Sequence, residues 1–248
     1  MKKTTLLLMS MAFALLLTAF TSCNDDDDNK VSYYAYVTLH ADDPSNFWFE
    51  GDSGMALMPN HNKDFSSFKV SAEDDNLRTI VYFSNLAAGP NANSRTIDLQ
   101  GMRTMVTKAP FVAHTYAELD SLGDDELYAK MLHLSTDGKY LDTRLETPNY
   151  STGDKSETEY VVSLVENTLV NYKSGYVNLE LRLKCKNASG EQHGMQTGYV
   201  AFRLPDNLNP VKRGLKGLYV RVKGDEVIKY IKVTPKGVTV DRTEDVKK

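Results

Sequence analysis

Apolar and polar residues alternate along most of this chain, and the clearest case runs from Tyr176 to Lys186. Val177, Leu179, Leu181, Leu183 and Cys185 fall on one side, and Asn178, Glu180, Arg182, Lys184 and Lys186 fall on the other. A period of two marks a strand with one face in a core and the other toward water. That parity places the Cys185 thiol in the core, where apolar surroundings leave a sulfhydryl inert. Similar runs predict strands over residues 33–39, 47–49, 55–58, 68–70, 77–83 and 96–107 in the first half. In the second half they predict strands over 128–134, 140–145, 160–165, 198–204, 218–222 and 227–233.

Turn chemistry separates these runs. Asp137-Gly138 lies between two apolar stretches and tolerates the positive φ angles of a tight hairpin, and the segment from Gly51 to Gly54 reads as another turn. Only residues 116–130 have a helical pattern, and Gly123 interrupts it. The fold class is therefore all-β: many short strands at close spacing make a barrel, a sandwich or one of each. A boundary is expected at Lys108, Ala109 and Pro110, where proline disfavours a continuing strand. Residues 33–109 then suit a small five-stranded OB-like barrel. Residues 110–240 suit an immunoglobulin-like β-sandwich, followed by a charged tail at 241–248. A single continuous sandwich is the alternative.

The first 32 residues break the alternation. Lys2 and Lys3 precede an uncharged run from Thr4 to Phe20, and Thr21 and Ser22 lead into Cys23. A basic tip, a short apolar stretch and small residues describe a cleaved secretion signal over residues 1–22 rather than a retained transmembrane helix. Cys23 is the expected site of lipid attachment. Each buried methylene contributes about 0.8 kcal/mol, so several acyl chains hold a protein on a membrane without a spanning helix. Phe20 departs from the usual pattern, which has leucine three residues before the cysteine. Residues 23–32 form an acidic tether, in which Asp25, Asp26, Asp27 and Asp28 resemble an export signal that carries lipoproteins to the outer face of the outer membrane. The expected location is the outer membrane, lipid-anchored and exposed at the cell surface.

Charge narrows the partners. Removing Lys2 and Lys3 from 29 basic residues leaves 27 against 33 acidic ones, a formal charge of −6. That balance argues against nucleic acid, whose binding needs a basic surface to release counterions. Cys23 and Cys185 are the two cysteines, and lipid on the first excludes an intramolecular disulfide.

Few residues group into catalytic patterns. Gly51-Asp52-Ser53-Gly54 copies part of a serine-protease nucleophile loop, but a triad also needs a histidine and an aspartate placed by geometry, and a hairpin turn explains the segment. His40, His61, His114, His133 and His193 are scattered, with none of the short spacings of a zinc site. Asp42-Asp43, Asp74-Asp75 and Asp124-Asp125 read as solvated loops. No catalytic residue, metal or cofactor is expected. The best binding hint is aromatic: Phe47 and Phe49 point to one face of a strand and Trp48 to the other. If the phenylalanines fill the barrel, Trp48 lies on its outside, where it can meet a ligand together with Tyr34 and Tyr36.

At this point the residues carry a resemblance. The acid-trailed Cys23 is followed by Phe47-Trp48-Phe49-Glu50, the turn from Gly51 to Gly54, Met58-Pro59, and Leu119-Asp120-Ser121-Leu122-Gly123. Gly138-Lys139-Tyr140-Leu141, Val177-Asn178-Leu179-Glu180 and Gly198-Tyr199-Val200-Ala201-Phe202 complete the order. The chain resembles the NigD-like lipoprotein family, although Met58 stands where the family often has tryptophan. The resemblance implies an N-terminal OB-type domain, a C-terminal β-sandwich and a link to bacteriocin production or immunity. Asp120-Ser121-Leu122 is similar to an O-glycosylation signal with Ser121 as acceptor. The function expected is a non-enzymatic surface binding or assembly module with a protein or glycan partner. A glycan-binding lipoprotein for carbohydrate uptake is the alternative, and an unrecognised hydrolase a third reading.

Overall fold

The computed structural model describes residues 32–43, 46–60, 68, 70–150, 158–169, 173–188, 192–224 and 227–246. The signal segment, Cys23, Asp25, Asp26, Asp27, Asp28 and His61 lie outside the described residues. The chain divides into two units between Thr104 and Met105. Among the described residues no helix is long and apolar enough to cross a membrane.

The first unit is a closed five-stranded barrel. Its strands are β1 (Ser32–Asp43), β2 (Asn46–Gly51), β3 (Ala56–Pro59), β4 (Arg78–Ala88) and β5 (Ser94–Thr104), joined in the order β1-β2-β3-β5-β4 and back to β1. β3 and β5 run parallel and the other neighbours antiparallel, the five-stranded Greek-key arrangement of an OB fold. Alternation selects the interior: Val37, Leu39 and Ala41 of β1, Phe47 and Phe49 of β2, Leu57, Val81, Phe83, Ile97 and Leu99 pack into one core. Each valine, leucine, isoleucine or phenylalanine among them contributes about 1.5–3 kcal/mol when fully buried. The β4–β5 pairing shifts register twice. Asn85 takes φ 60° at the second shift, and such bulges bend a hairpin so that it can close a small barrel.

The second unit is a two-sheet sandwich. It contains β6 (Val106–Lys108), β7 (Phe111–Ala113), α1 (Tyr116–Ser121), β8 (Tyr128–Leu134), β9 (Tyr140–Tyr150), β10 (Glu159–Asn167), β11 (Val177–Lys186), β12 (Gln192–Arg203), β13 (Leu218–Lys223), β14 (Val227–Thr234) and β15 (Gly237–Asp245). A six-stranded sheet, β15-β14-β13-β11-β10-β7, faces a four-stranded one, β6-β12-β9-β8. Leu132, Leu134, Leu141, Leu145 and Phe202 from the smaller sheet meet Leu164, Leu179, Leu181, Leu183, Val220 and Val233 from the larger.

Several local expectations change. The strand foreseen over 96–107 is two strands, because β5 ends at Thr104 and β6 pairs in parallel with β12 of the sandwich. Of the strand foreseen over 68–70, Phe68 sits in a 3-10 turn and Val70 packs into the barrel core from a loop, while residue 69 lies outside the described residues. The helix foreseen over 116–130 stops at Ser121. Thr115 caps it by accepting from the Glu118 amide at 3.2 Å, while Glu118 accepts from the Thr115 amide at 3.0 Å. Gly123 ends it at φ 77°, and a Cβ there would lie 2.5 Å from the Leu183 carbonyl, so no other residue fits. The Asp137-Gly138 hairpin forms, with Gly138 at φ 72°. Residues 241–245, assigned to a charged tail, lie in β15.

Candidate functional site

The outer face of β1 and β2 collects the residues with recognition chemistry. Because Phe47 and Phe49 enter the core, Trp48 and Glu50 point outward, beside Thr38 and His40 of β1. Cross-strand register sets His40 opposite Trp48, and their rings stack at 4.2 Å between centroids with an 18° interplanar angle. The imidazole Nε2 lies 3.1 Å from Glu50 Oε2, and Nδ1 lies 3.8 Å from Asp75 Oδ1. Asp75 is held in place by the Ala41 amide, which donates to Oδ1 at 3.1 Å. Both carboxylates are well exposed, at 43% for Glu50 and 41% for Asp75. The result is a half-buried aromatic pair flanked by two acceptor groups open to solvent.

Tyr34 and Tyr36 share this outer face and contact each other edge-on at 6.1 Å. At about 3.3 Å of rise per residue they lie about 20 and 13 Å along β1 from His40, so they form a second aromatic group beside Tyr82 of β4 rather than one cluster with Trp48. His40 and Asp75 were not foreseen as partners of Trp48. A hairpin folded about residue 44 pairs position 40 with 48, and that register was the available signal for His40. Asp75 comes from a distant loop and left none.

The other candidate groups are occupied structurally. Asp52 Oδ1 accepts from Arg78 Nη2 at 2.7 Å, and the Arg78 side chain is 1% exposed. The Gly51 to Gly54 segment is the β2–β3 turn, closed by the Gly54 amide donating to the Gly51 carbonyl at 2.8 Å. Two of the carboxylate pairs make specific contacts from their loops, where Asp75, Asp124 and Asp125 are exposed. Asp74 accepts from the Ser71 amide and hydroxyl at 2.9 Å each, Asp124 meets Lys223 at 3.0 Å, and Asp125 accepts from the Cys185 amide at 2.6 Å. Cys185 is half-buried at the rim of the sandwich core rather than inside it. Burial and the neighbouring Asp125 carboxylate push its thiol up to about 11. Ser121 ends α1 on an exposed turn, its hydroxyl donating to the Glu118 carbonyl at 2.7 Å. No group of three or more His, Cys, Asp or Glu among the described residues could hold a metal ion.

Barrel and sandwich together define a class: an all-β, two-unit protein with an OB-type N-terminal fold. Residues 110–233, half of the chain, match the NigD-like C-terminal beta sandwich domain. The chain belongs to the NigD-like family. Solved structures share the fold over both units. One is a protein of unknown function, DUF1344, from Bacteroides vulgatus, at TM-score 0.62 and 21% identity, covering 88% of this chain and 90% of that one. A candidate toxin-related protein from Parabacteroides distasonis gives TM-score 0.51 and 16% identity, covering 87% and 93%. A candidate lipoprotein from Bacteroides fragilis gives TM-score 0.51 and 13% identity, covering 87% and 97%. No curated protein matches the chain significantly.

Proposed function

We propose that this chain is a non-enzymatic, lipid-anchored module of the bacterial envelope that binds another molecule through the outer face of β1 and β2. The observation that carries the reading is the Trp48–His40 stack set between the exposed carboxylates of Glu50 and Asp75. A rigid aromatic anchor supplies contact area at low entropic cost, and flanking acceptors fix orientation. Cys23 behind its apolar run supplies the anchor, and Asp25 to Asp28 direct the protein to the cell surface. Membership of the NigD-like family favours a secreted factor of bacteriocin production or immunity as the partner.

A second reading, glycan binding in the service of carbohydrate uptake, draws on the same residues, since aromatic rings take the CH faces of sugars and carboxylates accept their hydroxyls. Trp48 is the single tryptophan of the chain, so tryptophan emission, excited apart from tyrosine, reports on this face alone. Crosslinking on intact cells, with wild type beside Trp48→Ala, tests the proposal. The expected outcome is a recurrent protein or glycan adduct that falls at least tenfold in the variant. Equal capture by both proteins overturns the assignment of the face. Labelled fatty acid is expected to enter the wild type and not Cys23→Ala, and incorporation into both overturns the anchor.

A further inference from the structure

A second site lies within the sandwich unit, at one end of its four-stranded sheet. Parallel pairing of β6 with β12 sets Lys108 beside Phe202, and antiparallel pairing of β12 with β9 sets Arg203 opposite Tyr140. The Leu204 amide donates to the Lys139 carbonyl at 2.7 Å. Three neighbouring strands thus deliver Lys108, Arg203 and Lys139 to one place, and the following loop adds Lys212. These four cations and the single carboxylate of Asp206 line an open cleft of about 640 Å³. A local excess of positive charge is notable in a chain of formal charge −4.

The cations differ in how far they are committed. Lys212 meets Asp206 at 2.7 Å in an exposed pair, and Lys139, itself exposed, meets the half-buried Asp137 at 3.0 Å. Exposed pairs of this kind are worth little and exchange readily. Lys108 donates to the Val162 carbonyl at 3.0 Å, which uses one of the three donors of an ammonium. The exposed Arg203 guanidinium makes no ion pair or hydrogen bond with any described residue. A free guanidinium fork matches the paired oxygens of a carboxylate or phosphate. Ala109, Pro110 and Pro205, with Leu204 buried beneath, give the cleft an apolar wall. The volume is that of a small-ligand pocket.

We propose that this cleft binds a compact oxyanion ligand, a carboxylate or phosphate ester on a CH-rich body of sugar size. Arg203 takes the oxyanion bidentately, Lys139 and Lys108 add point charges, and the proline wall receives the uncharged part. The site is independent of the barrel face.

The test is titration of the purified full-length chain with glucuronate, glucose 6-phosphate and neutral glucose at low salt, followed by calorimetry and amide chemical shifts. Binding of at least one anion is expected, with shifts at Thr107, Lys139 and Arg203, weakening as salt rises. A response at these amides to only one anion names the oxyanion, and glucose shifts none of them. Arg203→Ala is expected to weaken binding at least tenfold, and Arg203→Lys, which keeps the charge and loses the fork, about threefold. Shifts confined to the amides around Thr107, Lys139 and Arg203 separate this site from the barrel face. No response to either anion, an equal response to glucose, or unchanged affinity in Arg203→Ala overturns the proposal.

Discussion

The outer faces of the two units carry the same polar parity and have opposite fates. On β1 and β2 of the barrel, the outward residues Tyr36, Thr38, His40, Trp48 and Glu50 remain at least partly open to water. On the six-stranded sheet of the sandwich, the outward residues Glu180, Tyr219 and Tyr230 are 1%, 1% and 5% exposed. The two tyrosines stack on each other beneath Lys173 and Arg242, and around Glu180 a strap makes the difference. Arg182 Nη1 donates to the carbonyls of Leu119 and Gly123 at 3.1 and 2.9 Å, and Lys184 Nζ donates to that of Ser121 at 2.9 Å. Beneath α1, Ala113, Leu119 and Val165 form a small core of their own. Alternation therefore reports parity, not exposure. Where a second layer covers the polar face, its charges must find partners or leave a costly orphan. Within the barrel, β4 obeys the same rule: Arg78 is buried on its outward parity and lies on Asp52.

The largest contrast is expected between Glu180→Ala and Glu50→Ala. Glu180 accepts from Asn167 Nδ2 at 2.8 Å, Arg182 Nε at 3.0 Å and Arg221 Nη1 at 3.4 Å. Removing it takes the shared carboxylate away from two largely buried guanidinium groups, a loss of about 3–5 kcal/mol. Glu180→Gln keeps an acceptor for Asn167 and is expected to lose less. Glu50, exposed beside His40, is expected to cost at most about 1 kcal/mol. Urea unfolding of the full chain followed by circular dichroism measures all three, and equal losses for Glu180→Ala and Glu50→Ala would break the comparison.

A smaller effect, visible only with pH, sits farther along the same covered face. Asp241 of β15 accepts from Lys232, from Lys173 at 3.1 Å and from the Tyr219 hydroxyl at 3.0 Å. The Lys232 hydrogen bond, then those from Lys173 and Tyr219, hold its carboxyl down at about 2 against an ordinary 3.8. A carboxylate depressed in the folded state stabilises it above the unfolded value, and that contribution disappears as pH falls through the folded one. The stability difference between wild type and Asp241→Asn should therefore be full at pH 6, shrink below about pH 5 and be largely gone by about pH 2. A difference that is constant from pH 6 to pH 2 would show that Lys232 and Lys173 do not act on this group.

How much of this was legible in the sequence depends on range. Core parity on β1, β2 and β11 was readable, because a period of two needs only neighbouring residues. The Asp137-Gly138 hairpin and the breaking role of Gly123 were readable for the same reason. β7 and β15 were missed: β7 has three residues, too few to show alternation, and β15 places charged residues and Val238 and Val240 alike in solvent. The 96–107 strand was read through Met105 because alternation cannot announce that pairing partners change from one sheet to another. At the candidate site, Trp48 was legible from its place between two phenylalanines. Asp75 and the cationic cleft were not, since both join residues distant in sequence through strand register or loop return.

The smallest expected effect sharpens what an open outer face means. His40 covers one face of the Trp48 ring while its own edge turns to Glu50 and Asp75. Removing the imidazole in His40→Ala uncovers the indole without touching the core, at a cost of about 1 kcal/mol for the lost ring pair. Trp48 emission is expected to move to longer wavelength as water reaches the ring, and an added neutral quencher should reach it more readily. The Phe49 side of the strand, 0% exposed, would be undisturbed, so the urea m-value should stay at its wild-type level. Emission that does not shift would mean that another part of the barrel shelters Trp48, and its outer face would then resemble the covered face of the sandwich.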